Sequence, residues 1–371
     1  MDDPQTSSRQ SPRHWRWRSS AVALLLLALV AAAAVLLPAN TASGKKSASL
    51  LSLRVQAVKM QAQVDKLDQQ SEVVIEQYNS ARVTLDQVTS RLAKAHMQLS
   101  AAQIQLANVQ TILSERAVAI YKNGTVNLLD VLLSARDLSD LETQLQFYQR
   151  LSARDVANEK QEQRVVDAVT RLNQQISIEQ VRARALATDL RVKTQVITDK
   201  LAQRQAILKN VNSGIKQIVK QQQADARLIA KNLALRVKFK LGNIKGSNLQ
   251  DAVIHEAMKY LGVPYVWGGA SPSGFDCSGL VLYVYAKFGV NFPHAATMQA
   301  YMGMPVPLDE LQPADLVFFG NPSFYHHVGI YAGNGLFIEA PHTGDVVKVS
   351  ELAGRGATLA CRYVLHPPKS N

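Results

Sequence analysis

Apolar residues recur in alternating steps of three and four between residues 50 and 113. This spacing is the heptad pattern of a coiled-coil seam. One set is Leu50, Ala57, Val64, Ser71, Tyr78, Leu85, Leu92, Leu99, Leu106 and Leu113. The other set is Leu53, Met60, Leu67, Val74, Ala81, Val88, Ala95, Ala102 and Val109. Only Ser71 interrupts the seam, so the pattern predicts one long helix that buries this stripe against a partner helix.

A second periodic segment runs from Val165 to Ile229 and predicts another long helix. Its seam contains Val169, Leu172, Ile176, Ala183, Leu186, Leu190, Ile197, Leu208, Val211, Ile215 and Ile218. Between the two segments, the turn candidate Lys122-Asn123-Gly124 and a short apolar stretch predict a small helical tip near 121–140. The seams leave two arrangements open: an antiparallel hairpin within one chain, or a dimer formed through the first segment.

The pattern changes to that of a compact domain after residues 241–248, which form a linker. Residues 249–261 and 278–288 have helical periodicity. Short apolar runs separated by Gly, Asn or Pro turns then predict strands at 315–319, 327–331, 336–339, 346–349 and 359–364. Helices followed by an antiparallel sheet predict an α+β fold for this domain, next to the long all-α region.

Charge divides the chain at the same place. The 371 residues carry a net charge of +12, whereas residues 251–371 contain 9 acidic and 6 basic residues, so the first 250 carry +15. A basic elongated surface suits anionic lipid or anionic wall polymers. Dispersed charges are equally typical of a solvated helix face. Since no nucleic-acid-binding motif accompanies the charge, the sequence predicts no nucleic-acid partner.

The first 43 residues have the organisation of an export signal. Four arginines precede an uncharged apolar run over residues 21–37, and small residues follow with Ala42 and Ser43 as candidate cleavage positions. The run is also almost long enough to remain as a membrane anchor. Because the positive charge lies on its N-terminal side, both interpretations predict an extracytoplasmic protein of the cell envelope, secreted or membrane-anchored.

The chain has only two cysteines, Cys277 and Cys361. This number does not fit a disulfide-stapled scaffold, and no ligand pairs at short spacing indicate a metal or another cofactor. Cys361 lies in an alternating strand pattern and is predicted to be a core residue. Cys277 directly precedes a helical segment, where unpaired backbone N–H groups and the helix dipole stabilise a thiolate. Cys277 is therefore the predicted nucleophile.

Four blocks of the C-terminal domain stand in a recognisable order. They are Pro264-Tyr265 with Trp267-Gly268-Gly269, Phe275-Asp276-Cys277-Ser278-Gly279, Leu316-Val317-Phe318-Phe319 and His327-Val328-Gly329-Ile330-Tyr331. Together they resemble the NlpC-type family of papain-like bacterial cell-wall cysteine peptidases, over about residues 249–366. The helical region is similar, less specifically, to the N-terminal region of peptidoglycan hydrolases of this architecture.

The resemblance implies hydrolysis of peptidoglycan stem peptides, typically between D-γ-glutamate and a diamino acid. By the family pattern, Cys277 is the nucleophile, His327 the general base, and Glu339 the third group that orients the imidazole. His342 is the alternative third group, three residues further on. His326 competes with His327, but strand alternation places the two on opposite faces. The family pattern also assigns substrate binding to Tyr265, Asp276 and Ser278.

The predicted organisation has four parts: a signal peptide or membrane anchor at 1–43, a coiled-coil region at 44–240, a linker at 241–248 and a peptidase domain at 249–371. The leading hypothesis is an exported peptidoglycan endopeptidase that needs no cofactor. One alternative is a Cys-dependent amidase or acyltransferase that acts on another acyl substrate. Another is a scaffold or activator whose rod binds a membrane or divisome-type partner. Because the linker is short, the hypothesis includes a rod that folds back and blocks the cleft.

Overall fold

The computed structural model describes residues 41–124, 128–211, 213–242 and 248–367. Its N-terminal part is helical and contains α1 (Thr41–Asn123), α2 (Leu128–Ser134), α3 (Leu138–Lys209) and α4 (Ser213–Gly242). Within these described ranges, no helix has an apolar stretch long enough to cross a membrane. The apolar run predicted to be a signal or anchor, residues 21–37, lies outside the described residues.

Helices α1 and α3 form an antiparallel hairpin within one chain. As residue numbers rise along α1 they fall along α3 in the cross-helix pairs Gln70–Lys200, Arg91–Glu179 and Arg116–Asp155. The buried positions of α1 include the predicted seam members Met60, Val64, Ser71, Ala81, Val88, Ala95, Ala102 and Val109. Each buried valine contributes about 1.5–3 kcal/mol, whereas an exposed ion pair contributes about 0.2–1 kcal/mol. The apolar seam therefore holds the hairpin together.

The second helical segment is divided where the sequence predicted one continuous helix. Helix α3 ends at Lys209, and the N–H of its C-cap Asn210 donates to the carbonyl of Ala206 at 3.1 Å. Helix α4 then begins, and its residues Leu233 and Val237 are buried in the apolar core of the C-terminal domain. Because of the break, α4 is a separate helix that packs Leu233 and Val237 against that core.

The C-terminal domain has the predicted α+β fold, which is confirmed. Its helices are α5 (Leu249–Met258), α6 (Cys277–Ala286) and α7 (Ala296–Ala300). A short hairpin, β1 (Ala270–Ser271) and β2 (Gly274–Phe275), precedes α6. The main antiparallel sheet consists of β3 (Met304–Val306), β4 (Leu316–Asn321), β5 (Phe324–Gly333), β6 (Leu336–Glu339), β7 (Lys348–Glu351) and β8 (Ala357–Arg362).

Strands β4 to β7 form the expected meander, and β8 inserts between β3 and β4 in the order β3-β8-β4-β5-β6-β7. Helix α6 packs against β5 and is buried along most of its length through Leu280, Val281, Val284 and Tyr285. Such an all-round apolar helix is stable only inside a core. The domain thus fixes the N-terminal end of α6 relative to the central strands, which carry the candidate catalytic residues.

Candidate active site

Cys277 is the first residue of α6 and is only 2% exposed. The preceding residue, Asp276, is the N-cap, and its Oδ1 accepts a hydrogen bond from the N–H of Gly279 at 2.7 Å. His294 Nε2 lies 2.7 Å from the same oxygen. A Cβ atom on Gly279 would lie 2.0 Å from the carbonyl oxygen of Gly269. Glycine is therefore required for the close approach that places Cys277 at the helix start.

His327 on β5 and Glu339 on β6 lie on the same face of the sheet, because the register pairs Ile330 with Ile338. His327 Nε2 is 2.7 Å from Glu339 Oε2. The other ring nitrogen, Nδ1, is buried and has no hydrogen-bond partner among the described residues. The carboxylate fixes the ring through Nε2, which leaves Nδ1 as the atom that can take a proton.

Glu339 is fully buried and also accepts two hydrogen bonds from the guanidinium of Arg355. Burial alone would raise the pKa of Glu339. The hydrogen bonds and positive charges of His327 and Arg355 outweigh burial and hold this pKa well below its usual range. Sequence reasoning missed Arg355, and the only local signal is its position between two glycines, Gly354 and Gly356.

The remaining predicted residues are divided between the cleft and its border. Tyr265 is buried, and its hydroxyl has no hydrogen-bond partner within the described part of the chain. His326 is half-buried, and burial together with the neighbouring His327 lowers its pKa. His342, the alternative third group, has its Nδ1 3.3 Å from Asp68 Oδ2 of α1. Glu339, and not His342, is the group hydrogen-bonded to His327.

Helix α1 enters the cleft beside Cys277. Residues 59–371 form one compact unit, and Glu76 of α1 is only 1% exposed within it. Glu76 Oε1 accepts hydrogen bonds from Ser278 Oγ at 2.6 Å and from Cys277 Sγ at 3.3 Å. Glu76 Oε2 accepts a hydrogen bond from the backbone N–H of Ala296 at 2.8 Å. The thiol proton is therefore directed to Glu76, while Nδ1 of His327 stays unpartnered.

Neighbouring residues of α1 extend this contact. Asn79 Nδ2 donates to Asp276 Oδ2 at 3.1 Å, and the ring of Tyr78 packs edge-on against Trp267 with centroids 5.1 Å apart. We use the term lid face for the polar residues of α1 that are spaced by four, four and three and lie along the cleft: Asp68, Glu72, Glu76 and Asn79. The lid face covers Cys277 and its N-cap residue Asp276 together.

Electrostatics in this arrangement disfavours the reactive thiolate. Burial, and then the charge of Asp276, raises the pKa of Glu76 to about 7. Burial, followed by the nearby Glu76 and Asp276, raises the pKa of Cys277 well above its usual value. The pKa of Glu72 is also raised, by burial first and by Glu339 next. The helix dipole alone would lower the thiol pKa, as the sequence predicted. Burial and the neighbouring carboxylates raise it instead. The sequence did not reveal that a carboxylate of α1 covers the site.

A cysteine at a buried helix start, with a histidine–carboxylate pair on an adjoining antiparallel sheet, defines the papain-like class of cysteine peptidase folds. Residues 262–364 match the model described as the NlpC/P60 family, so the chain carries an NlpC/P60 domain over these residues.

The domain is similar to proteins named as endopeptidases. It is 39% identical over 128 residues to the peptidoglycan endopeptidase RipA of Mycolicibacterium smegmatis, covering 31% of this chain and 26% of that protein. It is 41% identical over 112 residues to a probable endopeptidase of Mycobacterium tuberculosis, covering 30% and 28%. The crystal structure of the NlpC/p60 domain of peptidoglycan hydrolase SagA is 38% identical in sequence, with a TM-score of 0.30. The match covers 32% of this chain and 100% of that chain. The chain thus spans little more than a quarter of the length of these two curated relatives.

Proposed function

We propose that this protein is an exported peptidoglycan hydrolase that cleaves stem peptides, at the bond between D-γ-glutamate and a diamino acid, and that its lid face restrains it. The observation that supports the chemistry is the buried His327–Glu339 pair, whose Nδ1 is available for a proton. This pair lies in an NlpC/P60 domain that also presents Cys277 at a helix start. The names of the relatives, which include peptidoglycan endopeptidase, support the substrate class.

In the proposed reaction, the proton of the Cys277 thiol passes to Nδ1 of His327, and the thiolate attacks the scissile carbonyl carbon. Glu339 stabilises the imidazolium through Nε2. Backbone N–H groups at the start of α6, other than the N–H of Gly279 that donates to Asp276, stabilise the oxyanion. The C–N bond breaks as Nδ1 returns its proton to the leaving amine. Water then hydrolyses the thioester, losing a proton to Nδ1, and the thiol is restored.

The proposed restraint rests on Glu76. Its carboxylate occupies the space beside Sγ of Cys277 and takes the hydrogen bond that Nδ1 of His327 would otherwise accept. A substrate carbonyl cannot approach Sγ while this side chain is in place. In this proposal the arrangement is closed and inactive, and activity requires that α1 leave the cleft.

The proposed trigger for opening is a partner that binds the hairpin tip. This partner is membrane-associated or of the divisome type. Large apolar side chains are exposed near the tip, at Leu129, Leu133, Leu138 and Phe147, with 68–83% of their surface accessible. Exposed apolar patches of this kind are typical of protein or membrane contacts. Predicted export would bring this surface to the cell envelope, where peptidoglycan is found.

The test uses the full chain as wild type, as Glu76→Ala and as Glu76→Ala with Cys277→Ala, each incubated with purified stem-peptide fragments. Mass spectrometry identifies the products. We expect the amide bond between D-γ-glutamate and the diamino acid to be cut rapidly by Glu76→Ala, slowly by the wild type and not at all by the double variant. Absence of product from Glu76→Ala, with Cys277 still reactive towards iodoacetamide, would refute the peptidase proposal in favour of another acyl substrate or a scaffold role.

A further inference from the structure

The carboxylate of Glu339 has a second cationic partner besides His327. Arg355 Nη1 donates to Oε1 and Nη2 to Oε2, each at 2.9 Å. This two-pronged geometry matches the planar guanidinium to both oxygens and fixes the plane of the carboxylate. His327 Nε2 therefore lies against Oε2 of Glu339, an oxygen that Arg355 already holds in position.

A buried carboxylate needs such a partner. Glu339 is fully buried, and transfer of an uncompensated anion into a protein interior costs several kcal/mol. A group that orients the imidazole and stabilises the imidazolium must also be ionised while catalysis proceeds. His327 supplies positive charge only after it has accepted a proton, so a permanent cation is needed before that step.

The surroundings of Arg355 hold its guanidinium in place. Gly354 and Gly356 have φ values of +76° and +77°, so the loop reaches the sheet through a conformation that favours glycine on both sides of the arginine. The guanidinium carbon lies 5.3 Å from the ring centroid of Phe337 and 6.0 Å from that of Phe319. Stacking on these rings favours a planar cation over a lysine ammonium.

We propose that Arg355 is a positioning residue of the peptidase, which holds Glu339 as an oriented anion against Nε2 of His327. The inference rests on the proposed peptidase function for its kinetic consequences, whereas its effect on Cys277 is independent of substrate. Two other charged residues lie near Glu339. Glu72 of the lid face opposes the anion, and Lys348, opposite Glu339 in the sheet register, directs its Nζ to Asp345 at 2.6 Å.

The experiment compares Arg355→Gln and Arg355→Lys in the full chain carrying Glu76→Ala, so that the closed arrangement is weakened equally in every variant. Arg362→Gln is a matched control, because Arg362 forms an equivalent fork with the buried carboxylate of Asp315, with both distances 2.8 Å. The measurements are kcat and KM on stem peptides, the rate of Cys277 alkylation by iodoacetamide from pH 4 to 9, and the thermal midpoint.

We expect Arg355→Gln to lower kcat about a hundredfold, as for other losses of catalytic alignment, with KM nearly unchanged. The acid limb of alkylation should move to higher pH, because without the arginine burial protonates Glu339 and the imidazolium–thiolate pair loses its support. Arg355→Lys should restore part of both effects, and Arg362→Gln should lower only the thermal midpoint. An acid limb that Arg355→Gln leaves unmoved refutes the inference. If no variant cleaves the peptide, the proposed function fails, and the alkylation profile still decides the role of Arg355.

Discussion

Replacement of Glu76 by alanine tests the central feature of this structure, the carboxylate that lies against the thiol of Cys277. The variant removes the acceptor of the two short hydrogen bonds from Ser278 and Ala296. At a net value of about 1 kcal/mol each, their loss weakens closure by about 2 kcal/mol. Since 1.4 kcal/mol corresponds to a factor of ten, the ratio of closed to open chains falls about thirtyfold. In a mostly closed wild type, stem-peptide turnover should rise by about the same factor.

The assay combines turnover with alkylation of Cys277 followed by mass spectrometry, so that opening is measured with and without substrate. Cys361 is buried on β8 and serves as an internal reference for an intact fold. The matched control is Glu115→Ala, which removes an exposed glutamate from the same helix and should change neither rate.

Equal alkylation and turnover rates in Glu76→Ala and wild type would refute the restraint by Glu76. An equal increase in Glu115→Ala would also refute it, because the effect would then come from the loss of any acidic residue on α1. A rise in alkylation without turnover would instead preserve the lid and contradict the assigned substrate.

Three further results follow from the site geometry. Burial raises the pKa of Glu76 to about 7 from its ordinary 4.5, so its protonation favours closure below pH 4.5 and this advantage is lost as pH rises to about 7. The pKa of Glu72 is also raised, so the control variant is E72Q/E76Q, which has neither titrating group. The ratio of wild-type turnover to the turnover of this variant should rise between pH 4.5 and 7. A ratio that does not change with pH would contradict the role of these two glutamates in closure. In the Glu76→Ala background, Glu339→Gln should lower kcat about a hundredfold or more with the fold intact by circular dichroism. Gly279→Ala should reduce stability by about 1–3 kcal/mol in a denaturant titration, since its Cβ meets the carbonyl of Gly269; an unchanged midpoint would show that the loop adapts.

The long helices and the strands were predictable because their apolar spacing is regular over many residues. The seam from Met60 to Val109 and the strand at 336–339 agree closely with the sequence pattern. The choice between a hairpin and a dimer was not predictable, because a heptad seam states what is buried and not which helix buries it. The pairing of Arg91 with Glu179 supplies that information.

The candidate site was predictable where one motif held the residues together and not where distant segments meet. Cys277, His327 and Glu339 were predicted from a family pattern, and they lie on α6, β5 and β6. Their catalytic roles stay a prediction. Glu76 was not predicted, because acids repeated every four residues are typical of a solvated helix face. Its contact with Cys277 joins positions 201 residues apart, and no local pattern encodes such a contact.

The four-residue repeat of acids in the lid face limits how the helix can be displaced. Asp68, Glu72 and Glu76 are spaced by four residues, slightly more than one helical turn, or about 6 Å along the axis. If α1 slid by one turn in the direction that advances Glu72, another glutamate would arrive beside Cys277. An axial pull in that direction therefore replaces one carboxylate beside Cys277 with the next. Rotation by about half a turn, or lateral peeling, removes all of the acids together, so an activating partner must act on the hairpin by torque, by leverage or by traction in the opposite direction.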